Sequence, residues 1–223
     1  MNDADAQRVG AVMQRSDLLA LQNREEEAIA LLDEALVDDP ENPRLLTQRG
    51  RLLHLMGHDQ AAIDTLTRSL AQAPDDLRTL HFLSTAHRAV GHLDEAEAAN
   101  QRCLDGIPHN PTFHLQRAQI LTLRARRARR GAATKMLRKE AFRHVERALE
   151  SVPDDANTYG WAAQIARELG RLTEAKLYVE RGSLSPPTMR NSAPCSAASR
   201  SRRRRATTPS ARCGRSSWKA PTC

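Results

Sequence analysis

Aromatic side chains are scarce in this sequence: two Trp, two Tyr and three Phe among 223 residues. A core made largely without them rests on Leu, Ala, Ile and Val, which suits helices packed closely through small side chains. Cysteine is as sparse. Cys103, Cys195, Cys213 and Cys223 form no CxxC pair, and three of them lie near the C-terminus. That excludes a disulfide framework and a thiolate zinc site, and Cys103, on an apolar helical face, reads as a buried thiol. No apolar run approaches the ~20 residues of a membrane span. The N-terminal MNDADAQRVG has acids where a signal peptide carries positive charge. A soluble, cytoplasmic protein is therefore expected. Gly-rich phosphate loops, HExxH and GxSxG are missing too, so neither a catalytic site nor a cofactor is expected in this chain.

Acids are absent from one region altogether. Residues 183–223 hold nine Lys or Arg and no Asp or Glu. The net charge of the whole chain is +7, so the first 182 residues sum to −2, which is +7 less the tail's +9. The basic character belongs to the tail.

What the chain has in abundance is repetition. GHDQAAIDTLTRSLAQAP from Gly57, GHLDEAEAANQRCLDGIP from Gly91 and GRLTEAKLYVERGSLSPP from Gly170 align with one another. Pro40, Pro74 and Pro108 are 34 apart, Pro153 follows after 45 and Pro187 after 34. Ala28, Ala62, Ala96, Ala141 and Ala175 keep the same steps, as do the small residues Ser16, Gly50, Ser84, Ala118 and Ala163. Three columns in one phase specify a repeat architecture. The prolines end helices, since the residue before a proline disfavours helical geometry. The glycines release the backbone between helices, and Asp94 or Thr173 is expected to cap the helix that follows.

Residues 7–187 thus resemble the tetratricopeptide repeat. That resemblance implies an all-α, right-handed solenoid of five helix–turn–helix units, ending near Pro40, Pro74, Pro108, Pro153 and Pro187. The first unit departs from the pattern with Asn23 in place of the turn glycine. The resemblance also implies a module that holds protein or peptide partners in a concave groove lined by the first helices. In this phase the lining comprises Gln48, Arg51, His54, Arg78, His81, Arg88, Gln116, Gln119, Trp161 and Arg167. Its middle is polar and basic, suited to an acidic or C-terminal peptide. Some members grip a terminal carboxylate with Lys and Asn on the first helix; the matching residues here are Met13 and Asp17, so that clamp is not expected. Similar bacterial proteins place such repeats ahead of a transferase domain, sulfotransferases among them, which leaves open that the chain is the N-terminal part of a longer enzyme.

The fourth unit carries eleven extra residues within Leu123–Arg143, a stretch with nine basic residues and the single acid Glu140. The first helix is expected to run on to Arg130 and break at Gly131. The stretch reads either as a solvated turn, paired with the acidic VDDPE and ESVPDD loops, or as an anionic contact through Arg124, Arg126, Arg127, Arg129 and Arg130. Nucleic acid is disfavoured as the partner, because no aromatic stands among those arginines to stack a base. Eight histidines invite a metal site, and His54 and His58 stand four apart. Each of His58 and His92 follows a turn glycine, a polar slot of the repeat, so no metal is expected. The paired acids Asp38-Asp39, Asp75-Asp76 and Asp154-Asp155 likewise belong to loops.

Past Pro187 the periodicity ends in a Ser-, Arg- and Pro-rich segment, residues 188–223, expected to be disordered. The genetic code offers a reason. Joining the third base of each codon to the first two of the next, with GC-rich codons, turns Ser185–Ser192 into A-P-D-D-A-E-L, the pattern of APDDLRTL at Ala73. Ala206–Ser210 becomes D-D-A-E, and its alanine falls at the spacing that separates Ala62 from Pro40. The tail is therefore expected to be an out-of-frame product that replaces a sixth unit, with Arg202–Arg205 carrying no selected role.

Overall fold

The computed structural model describes residues 3–128 and 131–184, which form ten helices and no strand. These pair in chain order: α1 (Asp3–Leu21) with α2 (Glu25–Asp38), α3 (Pro43–Leu55) with α4 (Asp59–Gln72), α5 (Leu77–Val90) with α6 (Leu93–Gly106), α7 (Pro111–Arg127) with α8 (Ala132–Ser151), and α9 (Ala156–Glu168) with α10 (Leu172–Leu184). Pro187 and residues 188–223 lie outside the described residues. No helix among those described is long and apolar enough to cross a membrane.

The first helices of units 2 to 5 begin on side-chain caps. Asn42 accepts from Arg44 N and Leu45 N, Asn110 accepts from Thr112 N and Phe113 N, and each is followed by a proline, which needs no hydrogen-bond partner there. Asp76 and Asp155 accept from Thr79 N at 3.1 Å and Thr158 N at 2.9 Å. In two of the three loop pairs, Asp75-Asp76 and Asp154-Asp155, the second acid is therefore a helix cap, whereas Asp39 accepts from Asn42 Nδ2 at 2.9 Å. Within every unit but the fourth, the turn is a left-handed residue: Gly57 at φ 80°, Gly91 at 88°, Gly170 at 79° and, in the first unit, Asn23 at 57°. Asn fills the glycine slot because its short polar side chain tolerates that geometry.

Second helices start differently from the expectation. α6 begins after His92, which makes no side-chain cap bond, and Asp94 sits inside its first turn; Thr173 is likewise inside α10. Acidic first turns at Glu25, Glu26 and Glu27, at Asp59, at Asp94 and Glu95, and at Glu174 complement the helix dipole.

Small residues permit the close approach inside each pair. A Cβ on Gly50 would lie 2.5 Å from Leu66 Cγ, and Ser84 Oγ donates to the Ala96 carbonyl at 2.6 Å. Ala28, Ala62, Ala96 and Ala141 have no exposed surface. Cys103 is buried, which pushes its thiol up to about 11 and keeps it protonated. The fourth unit spreads its extra residues over both helices. α7 stops at Arg127, short of the expected Arg130, and α8 starts at Ala132 and runs for 20 residues. His54 and His58 fall on either side of the Gly57 turn, so they share no helix face.

Candidate partner-binding groove

Each helix packs on its chain neighbours, and successive first helices also touch: α1 with α3, α3 with α5, α5 with α7, and α7 with α9. Second helices make no such contacts with one another among the described residues. The side on which alternate elements approach is the inside of the curve, so the first helices line the concave face.

Not all ten residues assigned to that lining stand free in it. Gln48 and Gln116 are buried and their amides are spent. Gln48 Nε2 donates to Ser16 Oγ at 3.1 Å and Asp17 Oδ1 at 2.6 Å, while its Oε1 accepts from Arg51 Nε at 3.2 Å and Arg78 Nη2 at 3.0 Å. Arg51 also pairs with Asp17 at 2.5 Å. Three consecutive units thus meet in one network of two guanidiniums and one carboxylate. Burial lowers the pKa of Arg51; Asp17 opposes the shift and Arg78 adds to it. Arg51 stays charged regardless, since a guanidinium does not lose its proton in proteins.

A second network joins units 3 and 4. Gln116 Nε2 donates to the His81 carbonyl at 3.0 Å and Thr85 Oγ1 at 2.8 Å, and its Oε1 accepts from Asn100 Nδ2 at 3.3 Å. Facing that oxygen at 2.9 Å, His81 Nδ1 is the donor. Burial lowers the His81 pKa, Gln116 counters it, and Arg88 and His54 lower it further. The ring lies between Phe82 and Phe113, with centroids 5.3 and 5.7 Å away. His54 is held within its own unit, Nδ1 at 2.5 Å from Asp59 Oδ1. Arg88 and Gln119 are half-buried on α5 and α7, Trp161 packs against the core between units 4 and 5, and Arg167 is exposed in the last turn of α9.

The arginines of the fourth unit are also engaged, though not by the VDDPE and ESVPDD loops. Arg124 pairs with Asp94 and, at 2.8 Å, with Glu97. Arg126 and Arg138 share Glu168 at 2.8 and 3.2 Å. Arg127 Nη1 donates to the Gly91 carbonyl at 2.6 Å. Those partners sit on the flanking units, 27 to 42 residues away in sequence, and no local pattern announces them. Arg129 and Arg130 lie outside the described residues. No group of three or more His, Cys, Asp or Glu fit to hold a metal occurs among the described residues.

Five antiparallel helix pairs stacked in one direction, with the first helices gathered on one face, define a helical-repeat solenoid. The tetratricopeptide-repeat family model matches residues 19–83, from the end of α1 into α5. Solved structures extend the likeness across the array. A thermophilic tetratricopeptide-repeat protein of Thermus thermophilus, TTC0263, superimposes with a TM-score of 0.67 at 21% identity, covering 81% of this chain and 93% of its own. MamA of Desulfovibrio magneticus gives 0.63 at 14%, covering 82% and 95%, and another MamA structure 0.60 at 16%, covering 75% and 92%. No curated protein matches by sequence. The chain therefore has the fold of tetratricopeptide-repeat proteins.

Proposed function

We propose that the chain is a protein-interaction scaffold whose concave face holds an extended, acidic segment of a partner protein. The observation that carries this reading is the convergence of Arg51 and Arg78, from adjacent units, on the single oxygen of buried Gln48. Asp17 is the one acid bonded in that network, so positive charge is left over beside it. A guanidinium fixed by a buried amide has already lost its rotamer freedom, which lowers the ordering cost of gripping a carboxylate. Arg88 and Arg167 continue the basic character along the first helices. The basic stretch of the fourth unit contributes less, because Arg124, Arg126 and Arg127 already have partners.

Fluorescence anisotropy with a labelled oligoglutamate carrying a free C-terminal carboxylate tests the groove. The wild-type chain is expected to bind it in a salt-sensitive manner. Arg51→Ala with Arg78→Ala should abolish binding, whereas Lys135→Ala with Lys139→Ala, on the exposed face of α8, should leave it intact. Equal loss in both pairs would sink the assignment to the groove.

A further inference from the structure

Every interior junction of the array repeats one piece of packing. Leu32, Leu66, Asn100 and Val145 occupy the same position in the second helices of units 1 to 4, and each is 0% exposed. Leu32 packs with Leu45 and Leu52 of α3, Leu66 with Leu83 and Ala86 of α5, and Val145 with Ala162 and Ile165 of α9. Asn100 donates to the Phe113 carbonyl of α7 at 3.0 Å. The fifth member of this column is Val179, 34 residues after Val145, and it is 61% exposed.

The receiving half of the junction has its own column. Leu52, Ala86, Ile120 and Ile165, on the first helices of units 2 to 5, are all 0% exposed, whereas their counterpart in α1, Leu18, is 59% exposed. The described helices therefore end in the two complementary halves of the interface that they use four times internally. Its polar edge is complementary as well. Inside the array, Arg49 pairs with Asp33 at 2.6 Å, and Arg117 Nη2 donates to Gln101 Oε1 at 2.5 Å. The residues in those two columns at the free ends are Arg15 and Glu180, opposite in charge and both exposed.

We propose that α1 of one molecule docks on α10 of a second copy of this chain, continuing the superhelix head to tail. Leu18 packs against Val179 across the junction, and Arg15 pairs with Glu180 at its edge. The apolar ends supply the driving force, since repeat arrays without polar terminal faces associate. The two surfaces differ, so the contact is heterologous and builds open chains of molecules.

Sedimentation velocity on the full chain, across a range of concentrations, tests this with Leu18→Asp and Val179→Asp. Both positions are exposed, and far-UV circular dichroism checks that helicity is retained. The wild type is expected to grow beyond dimers as concentration rises. Each variant alone should be monomeric, and an equimolar mixture should stop at a one-to-one dimer, because each supplies the half that the other lacks. Glu180→Arg should weaken association and Arg15→Glu combined with it should restore it. A monomeric wild type overturns the proposal and leaves α10 as the seat of a sixth unit. A Leu18→Asp variant that still dimerises overturns it in favour of α10 pairing with itself.

Discussion

His114 and His144 face each other between α7 and α8, with their Nδ1 atoms 3.0 Å apart. Two rings at that distance share one proton, and charging both would set like charges side by side in a partly desolvated place. Burial, and after it His114, brings His144 from its ordinary 6.5 down to about 4; burial lowers His114 too. Above pH 6.5 both the folded and the unfolded chain hold a neutral ring, and the pair costs nothing. As pH falls from 6.5 toward about 4, the unfolded chain takes up a proton that the folded one refuses, so stability drops through that window. Urea midpoints measured from pH 7 to 4 should fall, and His144→Gln should flatten the slope. Asn23 shows the same dependence on a single backbone site. Its φ of 57° is left-handed, and Asn23→Ala should lower stability by about 1 kcal/mol, seen as an earlier urea midpoint with unchanged steepness.

At the scale of elements, the loop acids carry more than polarity. Asp76 and Asp155 each bond the amide and hydroxyl of the Thr three residues on, which anchors the starts of α5 and α9. Asp76→Ala and Asp155→Ala should each cost about 1 kcal/mol, whereas Asp75→Ala and Asp154→Ala, at the preceding positions, should be nearly silent. The turn glycines, the small-residue column and the helix-ending prolines were all legible in the sequence, because each answers to a local backbone requirement that recurs every unit. The roles of Gln48 and Gln116 were not. A glutamine on the inner face of a first helix reads as groove lining, and only its burial beneath Arg51 and His81 shows it to be a brace. The partners of the fourth unit's arginines were not legible for a related reason: their acids come from flanking units, and such pairings leave no periodic trace.

At the scale of the whole array, stability is a sum of units and junctions between neighbours. Among the described residues, units 2 to 4 have two junctions each, whereas the first and fifth have one. Within α10, Ala175 alone is buried. Hydrogen exchange should therefore protect α3 to α8 most strongly and release α10 first. If the molecules join head to tail, protection of α10 and α1 should rise together with concentration. Uniform protection across all ten helices would contradict a quasi-one-dimensional array.

The sequence by itself determined the number of units, their order, the residues at each turn and the column that packs each pair. These follow from period and backbone geometry, which are properties of short segments read in succession. Only the tertiary structure decided which polar side chains remain available, because a guanidinium or an amide is free or spent according to what lies across from it. It decided the ends in the same way. Leu18 and Val179 belong to columns that look the same in every unit, and only the packing shows that these two members are left exposed.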